Sequence, residues 1–142
     1  MIYGSETWAM RKEHEDKILR AENRMVRWML GTPLADLTPS IELKARLGVE
    51  CVSHVMRRAR LRWFGHVARK SEEDWVRRVT SFAVEGTRPA GRPTKTWRET
   101  VEADLKALQL DPRDTANRLV WRQAIHRDPS NLGRPRKRTL NR

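Results

Sequence analysis

The chain has 142 residues, 38% hydrophobic and 34% charged, and its thirty Lys and Arg against eighteen Asp and Glu give a formal net charge of +12. That length accommodates one domain with at most a tail, and the charge predicts attraction to a polyanion, nucleic acid first and anionic membrane second. One cysteine and four histidines exclude an intramolecular disulfide and a Cys₂His₂ or CCHC zinc site. No apolar run approaches the ~18 residues of a membrane span, and no secretory leader pattern opens the chain, so it reads as nuclear or cytoplasmic and not secreted.

In chain order, the first predicted element is a helix from about Met10 to Leu30, in which Ile18, Ala21, Met25 and Met29 recur at three- and four-residue steps and Val26 and Trp28 widen the stripe. Gly31 offers a left-handed cap and Pro33 blocks continuation. Thr38-Pro39 reads as an N-cap with proline at the first helical position, opening a short helix through Ile41, Leu43 and Leu47 to Gly48. Ser53 is the expected cap of the next helix, whose apolar stripe is Val52, Val55/Met56, Ala59, Trp63 and Val67.

Glu72 to Val84 forms a weaker helical segment with Trp75, Val79 and Phe82 in step. Two prolines and two glycines between Glu85 and Lys95 mark a linker. Thr96-Trp97-Arg98-Glu99 matches a capping box and opens a helix carrying Trp97, Val101, Leu105 and Leu108. Asp111-Pro112 starts a last helix along Ala116, Leu119/Val120 and Ala124, with Trp121 beside them. From Arg127 onward Pro, Gly, Asn and basic residues predict a disordered tail.

The expected fold is therefore all-α, a small irregular bundle of five to six amphipathic helices. It divides into residues 1–84, including a basic helix near 53–70, a basic Gly/Pro linker at 85–95, a helical pair at 96–126 and a basic tail at 127–142.

Charge is distributed unevenly along this layout. Met1 to Glu50 contains eight basic and eight acidic residues, whereas Cys51 to Arg142 contains twenty-two and ten. Arg57, Arg58, Arg60, Arg62, Arg69 and Lys70 put six positive charges and no acid into fourteen residues. Such a run is self-repelling unless something offsets it, and phosphate oxygens do so with release of counterions. Arg57, Arg58, Arg60, Arg62, Arg69, Lys70, Arg92, Lys95 and Arg98 are accordingly candidate phosphate contacts, joined by Arg134, Arg136, Lys137 and Arg138 of the tail.

Trp63 and Phe64 can stack on bases; helical spacing assigns Trp63 to the core and leaves Phe64 for stacking. Gly91-Arg92-Pro93 and Gly133-Arg134-Pro135 resemble the core of AT-hook peptides, but both lack its first arginine, and Arg134 to Arg138 equally suits a nuclear-localisation signal. His66 reads as a packing histidine, Cys51 as a small half-buried residue, and Glu72, Glu73 and Asp74 as complements to a helix dipole. No catalytic triad, phosphate-cradling glycine loop or HExxH motif is present, so no residue is assigned to catalysis, to a metal or to a cofactor.

Tyr3-Gly4-Ser5-Glu6-Thr7-Trp8, Arg60-Leu61-Arg62-Trp63-Phe64-Gly65-His66-Val67, Gly91-Arg92-Pro93-Thr94-Lys95-Thr96-Trp97 and Trp121-Arg122 together resemble the C-terminal end of a non-LTR (LINE-type) retrotransposon reverse transcriptase. The resemblance covers about residues 2–126; the tail departs from it. It implies thumb-like first helices followed by a basic extension that grips template RNA, target DNA or their hybrid during target-primed reverse transcription. The parent family is an RNA-directed DNA polymerase. Its palm aspartates, which hold two metal ions, have no counterpart here, since the chain contains no Asp-Asp pair. The family's endonuclease and the zinc-binding terminus of some relatives also lack counterparts, so this segment is expected not to be catalytic alone.

Two other classes compete. One is a helical interaction module that docks a Trp-bearing face on a polymerase core. The other is a helix-turn-helix DNA-binding protein, against which stands the absence of Asn or Gln in the basic helix to pair with adenine.

Overall fold

Six α-helices and one 3₁₀ turn make up the computed structural model, which describes residues 2–82, 86, 91 and 95–126. The all-α expectation holds: no strand occurs among the described residues. Nor is any described helix long and apolar enough to cross a membrane. The predicted linker is described only at Gly86, Gly91 and Lys95, and the predicted tail lies outside the described residues.

Helix α1 (Lys12–Met29) ends as predicted at Gly31, whose φ of 61° makes the turn. Thr32 N–H returns to the Arg27 carbonyl at 2.9 Å. The loop that follows is tied back by the Arg27 guanidinium, which donates to the carbonyls of Asp36 and Thr38 at 2.9 and 2.8 Å. Helix α2 (Ser40–Leu47) has Pro39, not Thr38, at its N-cap, with no side-chain cap bond. The Thr38 hydroxyl is turned instead onto the Asp36 carboxylate at 2.6 Å. Gly48, at φ 63°, closes α2 as predicted.

Helix α3 (Val52–Ala68) is capped from a distance. Its N-cap is Cys51, and the expected Ser53 cap is not made. Glu22 of α1 does that work: one carboxylate oxygen accepts the Val52 N–H at 2.8 Å and the other the Lys44 ammonium at 2.5 Å. A carboxylate at a helix N-terminus also complements the dipole, so a single side chain joins α1, α2 and α3. Burial pulls the Lys44 pKa down, but the Glu22 hydrogen bond and the charges beside it outweigh that and leave it raised. The C-terminal end of α3 receives the Arg77 guanidinium on the Ala68 carbonyl.

Helix α3 touches α1, α4 (Trp75–Ser81), α5 (Trp97–Leu108), the 3₁₀ turn (Pro112–Ala116) and α6 (Arg118–Ala124). Its buried residues are Met56, Arg60, Leu61, Gly65 and Val67. Met56 and Val67 belong to the predicted stripe, whereas Arg60, Leu61 and Gly65 extend the buried face beyond it, because hydropathy counts Arg60 and Gly65 as outward residues and both are inside. The core comprises Leu61, Val101, Leu105, Leu108, Leu110, Trp121, Ala124 and Ile125, with Phe64 and Trp97 packed against it.

Thr96 and Glu99 form the predicted capping box of α5. The predicted last helix is split: Asp111 starts the 3₁₀ turn, and Asn117 recaps α6 by accepting from Leu119 and Val120 N–H. This second cap turns Trp121, Ala124 and Ile125 inward and leaves Leu119 and Val120 exposed, contrary to the predicted stripe. Asp74 caps α4 through the Val76 N–H at 2.9 Å, in line with the dipole reading, but Trp75, Val79 and Phe82 are exposed rather than packed.

Gly65 is the one α3 position where no side chain fits. A Cβ there would lie 2.6 Å from Trp121 Cδ1 and closer still to Nε1. Without it, the indole N–H reaches the Leu61 carbonyl at 3.0 Å. Gly65→Ala is expected to lose about 1–3 kcal/mol through overpacking, more than the helix-propensity gain of about 1 kcal/mol. Thermal unfolding followed by circular dichroism checks this; an unchanged or raised Tm contradicts it.

Candidate nucleic-acid interface

The six cations of the basic run do not form one surface, because folding distributes them over partners remote in sequence. Arg60 is 4% exposed, with Nε donating to Asp104 Oδ2 at 2.7 Å. Arg57 Nε lies 3.4 Å from the other oxygen of the same carboxylate. Arg60 is therefore an internal ion-pair residue and not a phosphate contact, and Arg57 shares its acid. Arg58 is held bidentate by Glu50 at 2.7 and 2.6 Å, and Lys70 pairs with Asp74 at 2.7 Å. The expected lack of acidic partners applies to the local run only.

Arg62 alone of the six makes no ion pair or hydrogen bond among the described residues, and Arg69 donates from Nη1 to the Thr115 carbonyl at 2.9 Å. Both line a cleft of about 900 Å³ between α3 and α6, together with Trp63, His66, Arg118, Arg122, Ile125 and His126. Its one acid is Glu6. Arg118 and Arg122 stand one turn apart on α6, and like Arg62 they have no ion pair among the described residues. Two facing helices thus direct arginines into a single concavity, the arrangement that attracts an anionic ligand.

The two aromatic residues are placed differently from the predicted assignment. Phe64 is partly buried against the core, packed between Trp97 and Trp121 at centroid distances of 6.4 and 6.1 Å. Trp63 is half-buried in the cleft wall, 5.5 Å from the His66 ring. Both placements follow from the extension of the buried face of α3 to Arg60, Leu61 and Gly65.

Of the remaining candidates, Lys95 is exposed before α5, and Arg98 is exposed with Glu102 3.4 Å away. Neither lines the α3–α6 cleft. Arg92, Arg134, Arg136, Lys137 and Arg138 lie outside the described residues. The sequence reading missed Arg118, Arg122 and His126. The signal for the two arginines is the i, i+4 spacing of 118 and 122 about Trp121, meaningful once Trp121 is known to point inward; His126 carries none.

His126 belongs to the cleft lining. Burial, then the positive charges of Arg58, Arg62 and Arg122, push its pKa below the ordinary 6.5, against a smaller opposing pull from Glu50. The folded chain therefore binds this proton less readily than the unfolded chain, and stability present above pH 6.5 is lost as pH falls through the lowered pKa. Asp36 is held below its usual 3.8 by hydrogen bonds from Thr38. Asp74 is held down likewise, chiefly by Lys70 and then the Val76 N–H. Their contributions disappear only as pH falls through those depressed values, a window well below that of His126.

No family model, curated protein or solved structure matches this chain.

Two expectations separate folding arginines from binding arginines. Asp104→Ala leaves two guanidinium groups sharing no acid and is expected to cost about 3 kcal/mol, whereas Arg62→Gln changes Tm little and weakens polyanion binding. Equal Tm losses in the two variants contradict this division. For the histidine, wild-type Tm is expected to fall between about pH 7 and pH 5 more steeply than that of His126→Gln; parallel profiles contradict the assignment.

Proposed function

We propose that this chain grips a polynucleotide by its phosphates through the α3–α6 cleft, as the post-palm C-terminal portion of a non-LTR retrotransposon reverse transcriptase. It holds template RNA, target DNA or their hybrid for chemistry performed by catalytic residues it does not itself supply. The observation that carries the reading is the convergence of Arg62, Arg69, Arg118 and Arg122 on one cleft with a single acid in its lining. Guanidinium groups are suited to phosphate because their planar donors match two oxygens at once.

The family part of the proposal is supported by the way the resemblance blocks assemble. Trp97 Nε1 donates to the Glu6 carbonyl at 2.7 Å, which unites the Tyr3–Trp8 block with the block ending at Trp97. Phe64 and Gly65 of the basic-helix block meet Trp121 of the last block. Four segments scattered over the chain therefore serve one packing unit, as expected if they belong together.

A second reading, the interaction module docking on a polymerase core, is favoured by a separate face. Met25, Trp28 and Met29 are exposed at adjacent helical positions on α1, and Leu34, Leu37 and Ile41 are exposed just after it. Large exposed apolar residues grouped in this way mark interaction surfaces. The two readings use different faces and are compatible in one protein.

Filter binding at ~100 mM salt is expected to give Kd tighter than ~10⁻⁴ M for single strand, duplex or hybrid, with affinity falling steeply as salt rises. Replacing Arg62, Arg118 and Arg122 together by Gln should flatten the log–log salt slope by about 2–3. No measurable affinity, or a flat salt dependence, defeats the proposal. Association with a separately expressed polymerase core that survives the triple Gln change, but not Trp28→Ser with Met29→Ser, supports the second reading.

A further inference from the structure

We propose that the α3–α6 cleft seats an unpaired nucleotide of a single strand, its base stacked on Trp63 and its flanking phosphates held by Arg62, Arg118 and Arg122. This deepens the phosphate-gripping reading and rests on it.

The first argument is shape. The cleft, at about 900 Å³, falls within the roughly 300–1,000 Å³ of pockets that enclose small ligands. Its cations come from both walls, α3 and α6, so phosphates must enter between them to use all of the arginines. A duplex presents a convex backbone with its bases stacked inside, and it can touch the rims only. An unpaired strand can place a sugar, base and phosphate within.

The second argument is the aromatic residue left over by folding. Phe64 and Trp97 are packed against the core cluster and Trp121 belongs to it, but Trp63 is neither part of that cluster nor packed on it. Its ring neighbour is His66, tilted by 33°, and the cation–π pair found among the described residues, Arg78 over Trp75, is elsewhere. A half-exposed indole bordered by arginines is the combination by which proteins hold single strands: a π-face for any base and a charged track for the backbone. Arg62 and Trp63 are adjacent on α3, and Arg118 and Arg122 face them from α6, so base and phosphate contacts lie within one nucleotide's reach.

Fluorescence anisotropy with the full chain tests this, using end-labelled 12-mers of one sequence as single-stranded DNA, single-stranded RNA, duplex DNA and single strands in which every base is replaced by an abasic site. At a fixed salt concentration, intact single strand is expected to bind more tightly than duplex. Abasic strand should bind about 5- to 100-fold more weakly than intact strand. Trp63→Leu should bind intact strand as weakly as the wild type binds abasic strand, with an unchanged salt slope, and Trp63→Phe should recover part of the loss. The inference holds if either the DNA or the RNA strand meets these conditions.

Equal binding of intact and abasic strands by the wild type overturns it whatever the variants do, as does tighter binding of duplex. In either case the phosphate reading survives if the arginine variants still weaken binding. Absence of binding to every probe overturns both.

Discussion

The close approach of Trp121 to Gly65 is the constraint on which the rest of the bundle depends. An indole can donate to the Leu61 carbonyl on the flank of α3 only where the helix presents no side chain, and Gly65 is that gap. Once α6 is seated there, Phe64 is enclosed between Trp121 and Trp97. Trp97 in turn reaches the carbonyl of Glu6. A chain of aromatic contacts thus runs from α6 through α3 and α5 to the N-terminal segment, and it fixes how far apart α3 and α6 stand. That separation is the width of the cleft.

The same constraint separates the residues that carry the resemblance from the arginines of the proposed interface. Phe64, Gly65, Trp97 and Trp121, the most distinctive letters of the resemblance blocks, are spent on packing. Arg62, Arg118 and Arg122 are ordinary surface residues taken singly. Their placement gains meaning because α6 docks with Trp121 inward, which sends 118 and 122, three before and one after it, toward the exposed strip of α3. The blocks describe a scaffold, and the scaffold positions the arginines.

Local signals were readable in the sequence because their physics is local. The Thr96–Glu99 capping box and the helix ends at Gly31 and Gly48 each satisfy backbone groups within a few residues. The errors concern interactions across long stretches of chain. Glu22 caps α3 from thirty residues away, displacing the expected role of Ser53. Asp104 draws Arg60 inside across forty-four residues, and no reading of the fourteen-residue basic run contains that acid. Arg60 and Gly65 both violate the rule that polar or side-chain-free positions face outward, so the buried face of α3 is wider than the predicted stripe and brings Phe64 against the core in place of Trp63.

Charge balance ties these points to function. Helix α3 could not be packed on several sides as a uniformly basic rod, since buried cations without acids are costly. The fold resolves this by supplying Asp104, Glu50 and Asp74 to four of the six cations. It leaves Arg62 beside Arg118 and Arg122 with one acidic residue in the shared lining, and the pKa of His126 is lowered there by burial first and by the neighbouring guanidinium charges after it. On the proposed function, a phosphate bound there would relieve repulsion present in the folded chain and largely absent from the unfolded one. Binding and folding would then be coupled in the same direction, and a polyanion at concentrations above its Kd would stabilise the bundle.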